Sequence, residues 1–244
     1  DRGKSTVEIR EYAINHEMDR ILQDVYKRKP DFVGFSCYIW NISYIRQIVR
    51  DLAEVLPETV IWLGGPEASY DAETILREEP AVTGVMTGEG EGTFEELIRC
   101  YEEGRDVESV RGLVIRTDKG LVRSTGNRSL LPLDEIPFPY VGLEGMEHRI
   151  LYYESSRGCP YSCSYCLSSV DRTVRFRSLE LVKRELSFFL ENRAPQVKFV
   201  DRTFNCSRNH CQEIWQYLLD HDNGVTNFHF EISADLVTDD QLEI

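Results

Sequence analysis

Short apolar runs closed by glycine or small polar residues alternate with helix-period stretches over the first hundred residues. This alternation restricts the chain to a parallel sheet with helices on both faces. Met18, Ile21, Leu22, Val25 and Tyr26 recur at the spacing of one helix face, and Ile45, Ile48, Val49, Leu52, Ala53 and Leu56 repeat it. Between them residues 31–36 form a buried-strand run. Residues 60–63 form another, closed by Gly64, Gly65 and Pro66, and residues 82–86 precede a helix marked by Phe94, Leu97, Ile98 and Tyr101. Residues 7–12 are read as a further short strand.

The pattern changes near residue 110. Residues 112–116 and 121–123 flank Asp118, Lys119 and Gly120, a hairpin signal. Pro132, Pro137 and Pro139 then prevent regular structure. Beyond this linker the β/α alternation resumes, with strands near 150–154, 197–200 and 228–232. Val182, Leu186, Phe189 and Leu190 mark one intervening helix, and Cys211, Ile214, Trp215, Leu218 and Leu219 the other. The divisions read from this are an α/β domain over 1–110, a hairpin and proline-rich linker over 111–145, and a second β/α domain over 146–244.

The chain has 244 residues, enough for two ordinary domains with buried cores. No apolar run approaches the roughly 20 residues that span a bilayer, and no export signal is visible. A cytoplasmic protein is expected, so the seven cysteines sit in a reducing compartment that favours metal or redox chemistry over disulfides. A net charge of -14 repels phosphate backbones and argues against a general grip on nucleic acid. The sequence opens on Asp1 without an initiator Met and closes at Ile244 as a helix begins, which reads as a piece of a longer protein.

The strongest chemical signal is Cys159, Cys163 and Cys166, a CxxxCxxC in the loop after the first strand of the second domain. Three thiolates suit an iron–sulfur cubane that keeps one iron open, whereas structural zinc takes a fourth Cys or His. The nearest fourth donors, His148 and Cys206, lie outside the loop. Zinc binding or simple packing remains the alternative on spacing alone. Asp201 ends the second strand of this domain and Glu231 the third, so both are expected to face its mouth. The alternative there is a pair of solvated or hydrogen-bonded loop acids. Cys206 and Cys211 read as packing residues, since Cys211 continues the apolar stripe of Ile214 and Trp215.

In the first domain three loops follow strands: Ser36, Cys37 and Tyr38; Gly64 and Gly65; and Gly88, Glu89 and Gly90. Strand ends of open α/β sheets are where ligands bind, and glycines let backbone N–H groups approach a phosphate-bearing molecule. Taken singly, each such loop is more often a tight turn.

Together, the cysteine motif with Tyr165 before its third Cys and the glycine-loop domain resemble the cobalamin-binding radical S-adenosylmethionine enzymes. The resemblance implies a flavodoxin-like (Rossmann-like) cobalamin domain, followed by about three units of a TIM-barrel-like radical S-adenosylmethionine β/α barrel. It implies that Cys159, Cys163 and Cys166 hold a 4Fe-4S cluster whose open iron binds S-adenosylmethionine and cleaves it reductively. Tyr165 would lie against the adenine, and Asp201 and Glu231 would contact S-adenosylmethionine or substrate. Ser36, Cys37, Tyr38, Gly64, Gly65, Gly88, Glu89 and Gly90 would line the cobalamin.

Two features depart from the family. Its first strand and helix, the strand being central in the order 2-1-3-4-5, would precede Val7, and no Asp-x-His-x-x-Gly segment supplies an axial imidazole. His16, His148, His210, His221 and His229 are therefore read as surface or structural residues. The implied reaction is methyl transfer to an unactivated carbon or phosphorus, with rearrangement or sulfur insertion also within the class. The implied partners are a small-molecule or peptide substrate and an electron donor such as flavodoxin or ferredoxin. The rival readings are a radical S-adenosylmethionine enzyme that does not use cobalamin and a non-catalytic zinc-binding module.

Overall fold

The computed structural model describes residues 5–117, 119–146, 148–169 and 173–242. It divides into two compact units, Asp1–Leu130 and Leu131–Ile244.

The first unit is built on a five-stranded sheet in the order β1 (Phe32–Ser36), β2 (Val60–Gly64), β3 (Gly84–Met86), β4 (Leu113–Arg116), β5 (Val122–Ser124). The first three strands are parallel, with Ser36 opposite Gly64 and Leu63 opposite Val85, and the last two are antiparallel. The helices are α1 (Met18–Arg28), α2 (Ile42–Val55), α3 (Pro66–Tyr70), α4 (Ala72–Glu78) and α5 (Glu91–Glu103). Alternation along β2 gives the sheet two buried faces. Ile61 and Leu63 pack with Val49, Leu52, Leu76 and Val85, while Trp62 packs on the other side with Leu97, Cys100, Val110 and Leu113. Of the helical stripes, Ile21, Val25, Ile45, Ile48, Val49 and Leu52 are buried and Met18, Leu22, Ala53 and Leu56 partly so, whereas Tyr26 is exposed.

Two expectations need correction. Among the described residues, 7–12 pair with no strand. Glu8, Arg10 and Tyr12 instead reach α1, through Arg28–Glu8, Arg10–Asp24 and Tyr12–Asp24 bonds, while Val7 and Ile9 are exposed on the opposite side. Without a ladder partner, extended backbone remains an unpaired segment. The hairpin also does not belong to a linker. β4 pairs with β3 and extends the first sheet, because Leu113 and Ile115 bury on the Trp62 side. Of its turn residues, Asp118 lies outside the described residues.

The second unit has a parallel sheet in the order β10-β9-β6, with β6 (Leu151–Tyr153), β9 (Gln196–Phe199) and β10 (Asn227–His229). A two-stranded antiparallel ribbon joins β7 (Ser156–Arg157) to β8 (Arg175–Phe176). The helices are α6 (Leu179–Glu191), α7 (Arg208–Asp220) and α8 (Asp239–Leu242), giving three successive β/α units. Leu151, Tyr153, Val197 and Phe199 pack under Val182, Leu186, Phe189, Cys211 and Ile214. Phe138, Tyr140, Leu143 and Met146 of the proline segment join this core, so the segment belongs to the second unit. Tyr152, on the alternate register of β6, is exposed, as one-sided burial of the sheet requires.

Candidate functional site

In the first unit the C-terminal ends of β1, β2 and β3 lie side by side, and backbone bonds tie their loops together. Cys37 N–H donates to Gly64 O (2.7 Å) and Glu67 N–H to Cys37 O (3.2 Å). Ser69 Oγ donates to Met86 O (3.3 Å). Asn41, at the start of α2, fixes the first loop by accepting from Tyr38 N–H (2.7 Å) and donating to Ser36 O (3.0 Å). Tyr38 stacks on Trp40, with ring centroids 4.5 Å apart, and Trp40 and Ile39 are exposed beside it. Sequence reading missed Asn41, Ile39 and Trp40, although an Asn directly before a helix-period stretch is a boundary signal.

The residues proposed to line this rim divide into two sets. Ser36, Tyr38, Gly88 and Gly90 are exposed, and a Cβ added at Gly88 or Gly90 would meet nothing within 4 Å. That is open space for a ligand. Glu89 is half-buried, and its carbonyl accepts from Thr93 Oγ1 (3.4 Å). The Cys37 side chain, by contrast, is fully buried in the core, where burial pushes its thiol up to about 12. It is a packing residue, and only its backbone reaches the rim. Gly64 is buried against Met86. Gly65 has φ +94, and a Cβ there would lie 2.7 Å from Cys37 O. Its lack of a side chain permits the close approach of two loops.

In the second unit the cysteine loop leaves β7 and returns through β8. Gly158, at φ +103, makes that pinch possible, since a Cβ would stand 2.3 Å from Thr173 O. Cys159 is buried against Thr203, with Sγ 3.6 Å from Thr203 Oγ1. Cys163 and Cys166 are exposed on a turn closed by Cys166 N–H donating to Cys163 O (3.1 Å), and Tyr165 is 92% exposed. Further along, Tyr161 Oη lies 3.0 Å from Ser233 Oγ, and Asn205 bonds both the N–H and the C=O of Ser233. The cysteine loop is thus tied to the loops after β9 and β10.

Asp201 needs correction as a residue facing the mouth. It is almost fully buried and accepts from Ser155 N–H (3.0 Å), Ser155 Oγ (2.7 Å) and Ser156 Oγ (2.5 Å). Burial raises its pKa and the serine bonds pull it back. His210, buried under Phe176, lies 3.2 Å from Ser155 Oγ, and burial lowers its pKa to about 4. Glu231 is half-exposed and paired with Lys198 at 3.1 Å. Cys206 is partly buried and Cys211 fully buried in the core, where Cys211 accepts from Gln241 Nε2 (3.3 Å).

Among the described residues no three His, Cys, Asp or Glu side chains stand close enough together to hold a metal ion. The donor set nonetheless suits an iron–sulfur cluster: three thiols lie on one loop with no imidazole or carboxylate between them, and the first is set on a fixed base.

Residues 3–98 match the family model described as the B12 binding domain. A protein of Pyrococcus horikoshii named an uncharacterized methyltransferase is 32% identical over 207 residues, 80% of this chain and 44% of that protein. The cobalamin-dependent radical SAM methyltransferase TokK of Streptomyces tokunonensis is 28% identical over 189 residues, 72% of this chain and 28% of its own. The solved structure of OxsB, a cobalamin-dependent S-adenosylmethionine radical enzyme with aqua-cobalamin and S-adenosylmethionine bound, shares the fold. Its TM-score is 0.76 at 21% identity, over 92% of this chain and 33% of OxsB. The chain belongs to the cobalamin-binding radical S-adenosylmethionine family. It spans less than half the length of these family relatives. Among the described residues no helix is long and apolar enough to cross a membrane.

Proposed function

We propose that the protein is a cytoplasmic, cobalamin-dependent radical S-adenosylmethionine enzyme, a methyltransferase acting on an unactivated carbon or phosphorus of a small molecule or peptide. The observation that carries the reading is the pinched three-cysteine loop, fixed at the C-terminal end of a parallel β/α sheet in a chain that also has a B12-binding domain. Cys159, Cys163 and Cys166 would hold a 4Fe-4S cluster, which when bound supplies the electron for reductive cleavage of S-adenosylmethionine. The electron would come from a donor such as flavodoxin or ferredoxin. Cys159 is set in place by the β7–β8 pinch, and the exposed Cys163–Cys166 turn would fold onto it. Tyr165, fully available, would lie against the adenine, and Glu231 would present its carboxylate from the loop after β10. Ser36, Tyr38, Gly88 and Gly90 would line the cobalamin, the glycines admitting close approach to backbone N–H groups.

Anaerobic reconstitution tests this directly. About four irons per chain, S-adenosylmethionine cleavage to 5'-deoxyadenosine, and binding of hydroxocobalamin are expected. Cys163→Ala should lose iron and cleavage together, while Cys206→Ala, outside the loop, should retain both. Stoichiometric zinc in place of iron would establish the binding-module alternative, and cleavage without cobalamin binding would establish an enzyme that does not use the corrinoid.

A further inference from the structure

Cys159 has a buried polar neighbour in Thr203. Thr203 is 6% exposed and Cys159 is 9% exposed, and the 3.6 Å contact between Oγ1 and Sγ joins them. The threonine is not free to drift. Its carbonyl accepts from Cys206 N–H (3.0 Å), and the next residue, Phe204, donates its N–H to Glu231 O (2.9 Å). Asp201, two residues before it, takes three hydrogen bonds from Ser155 and Ser156, just ahead of Cys159. The segments that carry the two side chains are therefore locked in register on both sides of the contact.

In the thiol form either group could donate. A cysteine that ligates iron is a thiolate and can only accept, so the hydroxyl must then be the donor. We infer that Thr203 is a positioning residue that donates a hydrogen bond to the Cys159 thiolate and raises the reduction potential of the cluster held by the loop. The inference rests on the cluster reading above. Its physics is that the extra electron increases negative charge on the ligand sulfurs, so a fixed donor binds the reduced state more strongly than the oxidised one. Cys163 and Cys166 are exposed, whereas Cys159 is buried.

The test is an EPR-monitored redox titration of the reconstituted protein, with iron content measured on the same samples. Thr203→Val keeps the side-chain shape but removes the hydroxyl. It should hold the same iron and shift the midpoint to a more negative potential, with a tenfold fall in the reduced-to-oxidised ratio at fixed potential corresponding to about 59 mV for one electron. Thr203→Ser should restore the native value, and Thr203→Ala should shift in the same direction as Val. An unchanged midpoint in Val and Ala, with iron retained, overturns the inference and leaves the cluster reading standing. An equal shift in Ser overturns it too, because the hydroxyl is then not the cause. Loss of iron from Val and Ala but not from Ser would replace potential tuning with a ligand-holding role. A wild-type protein that holds no iron overturns the cluster reading, and the inference with it.

Discussion

In the first unit's rim backbone groups join the loops after β1 and β2, with Asn41 and Ser69 adding side-chain bonds, whereas in the second unit's rim most ties between loops are made by side chains. Cys37, Gly64 and Glu67 join the first set of loops through N–H and C=O groups alone. In the second, Asp201 gathers Ser155 and Ser156, Asn205 clasps Ser233, and Tyr161 reaches the same serine. A backbone lattice needs small residues and leaves a smooth surface that can accept a large ligand by shape. A side-chain lattice fixes particular atoms, as a set of metal ligands demands, and it brings buried ionisable groups with it. The two rims should therefore fail for different reasons.

The largest stability effect is expected at the base of the cysteine loop. Arg177, next to β8, is buried with Glu185 at 3.0 Å, while Tyr153 Oη donates to the other Glu185 oxygen and Arg177 also donates to Ile136 O. Arg177→Met leaves Glu185 buried beside one neutral donor, at a cost of about 3–5 kcal/mol in chemical denaturation of the second unit. A loss under about 1 kcal/mol would show that the side-chain lattice is not what holds this rim. In the first unit Gly65→Ala forces a Cβ against Cys37 O at a positive φ, for an expected loss of about 1–3 kcal/mol. That loss should appear without any ligand present, and full stability would break the claim that Gly65 serves loop packing.

Acid should separate the rims further. Burial lowers the His210 pKa from 6.5 to about 4, so the unfolded chain takes up a proton where the folded chain does not. This contribution is fully present above pH about 6.5 and is lost as pH falls towards about 4. Asp201 works the opposite way: its raised pKa favours the protonated folded form and offsets part of the loss at the acid end. His210→Gln keeps a donor for Ser155 and should flatten the decline in melting temperature between those pH values. An unchanged slope would exclude His210 as its source.

What could be read from the sequence was local. The stripes through α1 and α2 and the run through β2 follow from spacing within a few residues, and apart from the exposed Tyr26 they lie where that spacing puts them. The cysteine loop was legible for the same reason. Asp201 was not, because its partners Ser155 and Ser156 lie about 45 residues upstream and no local signal shows that they converge. Residues 7–12 have strand composition, but a strand exists only with a partner. Residues 112–123 have a readable turn, yet nothing nearby shows that β4 completes the first sheet. Gly65 and Gly90 look alike in sequence, and only the position of the Cys37 carbonyl tells them apart.

The smallest effect on stability, and the sharpest on function, is expected at Gly90. It starts α5 with φ -86 and ψ -22, values open to any residue, and an added Cβ meets nothing within 4 Å. Gly90→Phe should therefore change unfolding free energy by only about 0.5 kcal/mol, the usual scale for a surface substitution. If the open space beside Gly88 and Gly90 is where the corrinoid sits, the same ring obstructs it, and affinity for hydroxocobalamin should fall at least about tenfold, roughly 1.4 kcal/mol. Gly65→Ala, by contrast, should lose affinity only in proportion to the fraction of the first unit it unfolds. Spectrophotometric titration of both variants at a temperature where each is folded separates the two causes. Weakened binding in Gly90→Phe with native binding in folded Gly65→Ala places the ligand at the open glycines. The reverse result would move it to the Gly64–Gly65 turn and restore a ligand-facing role to that loop.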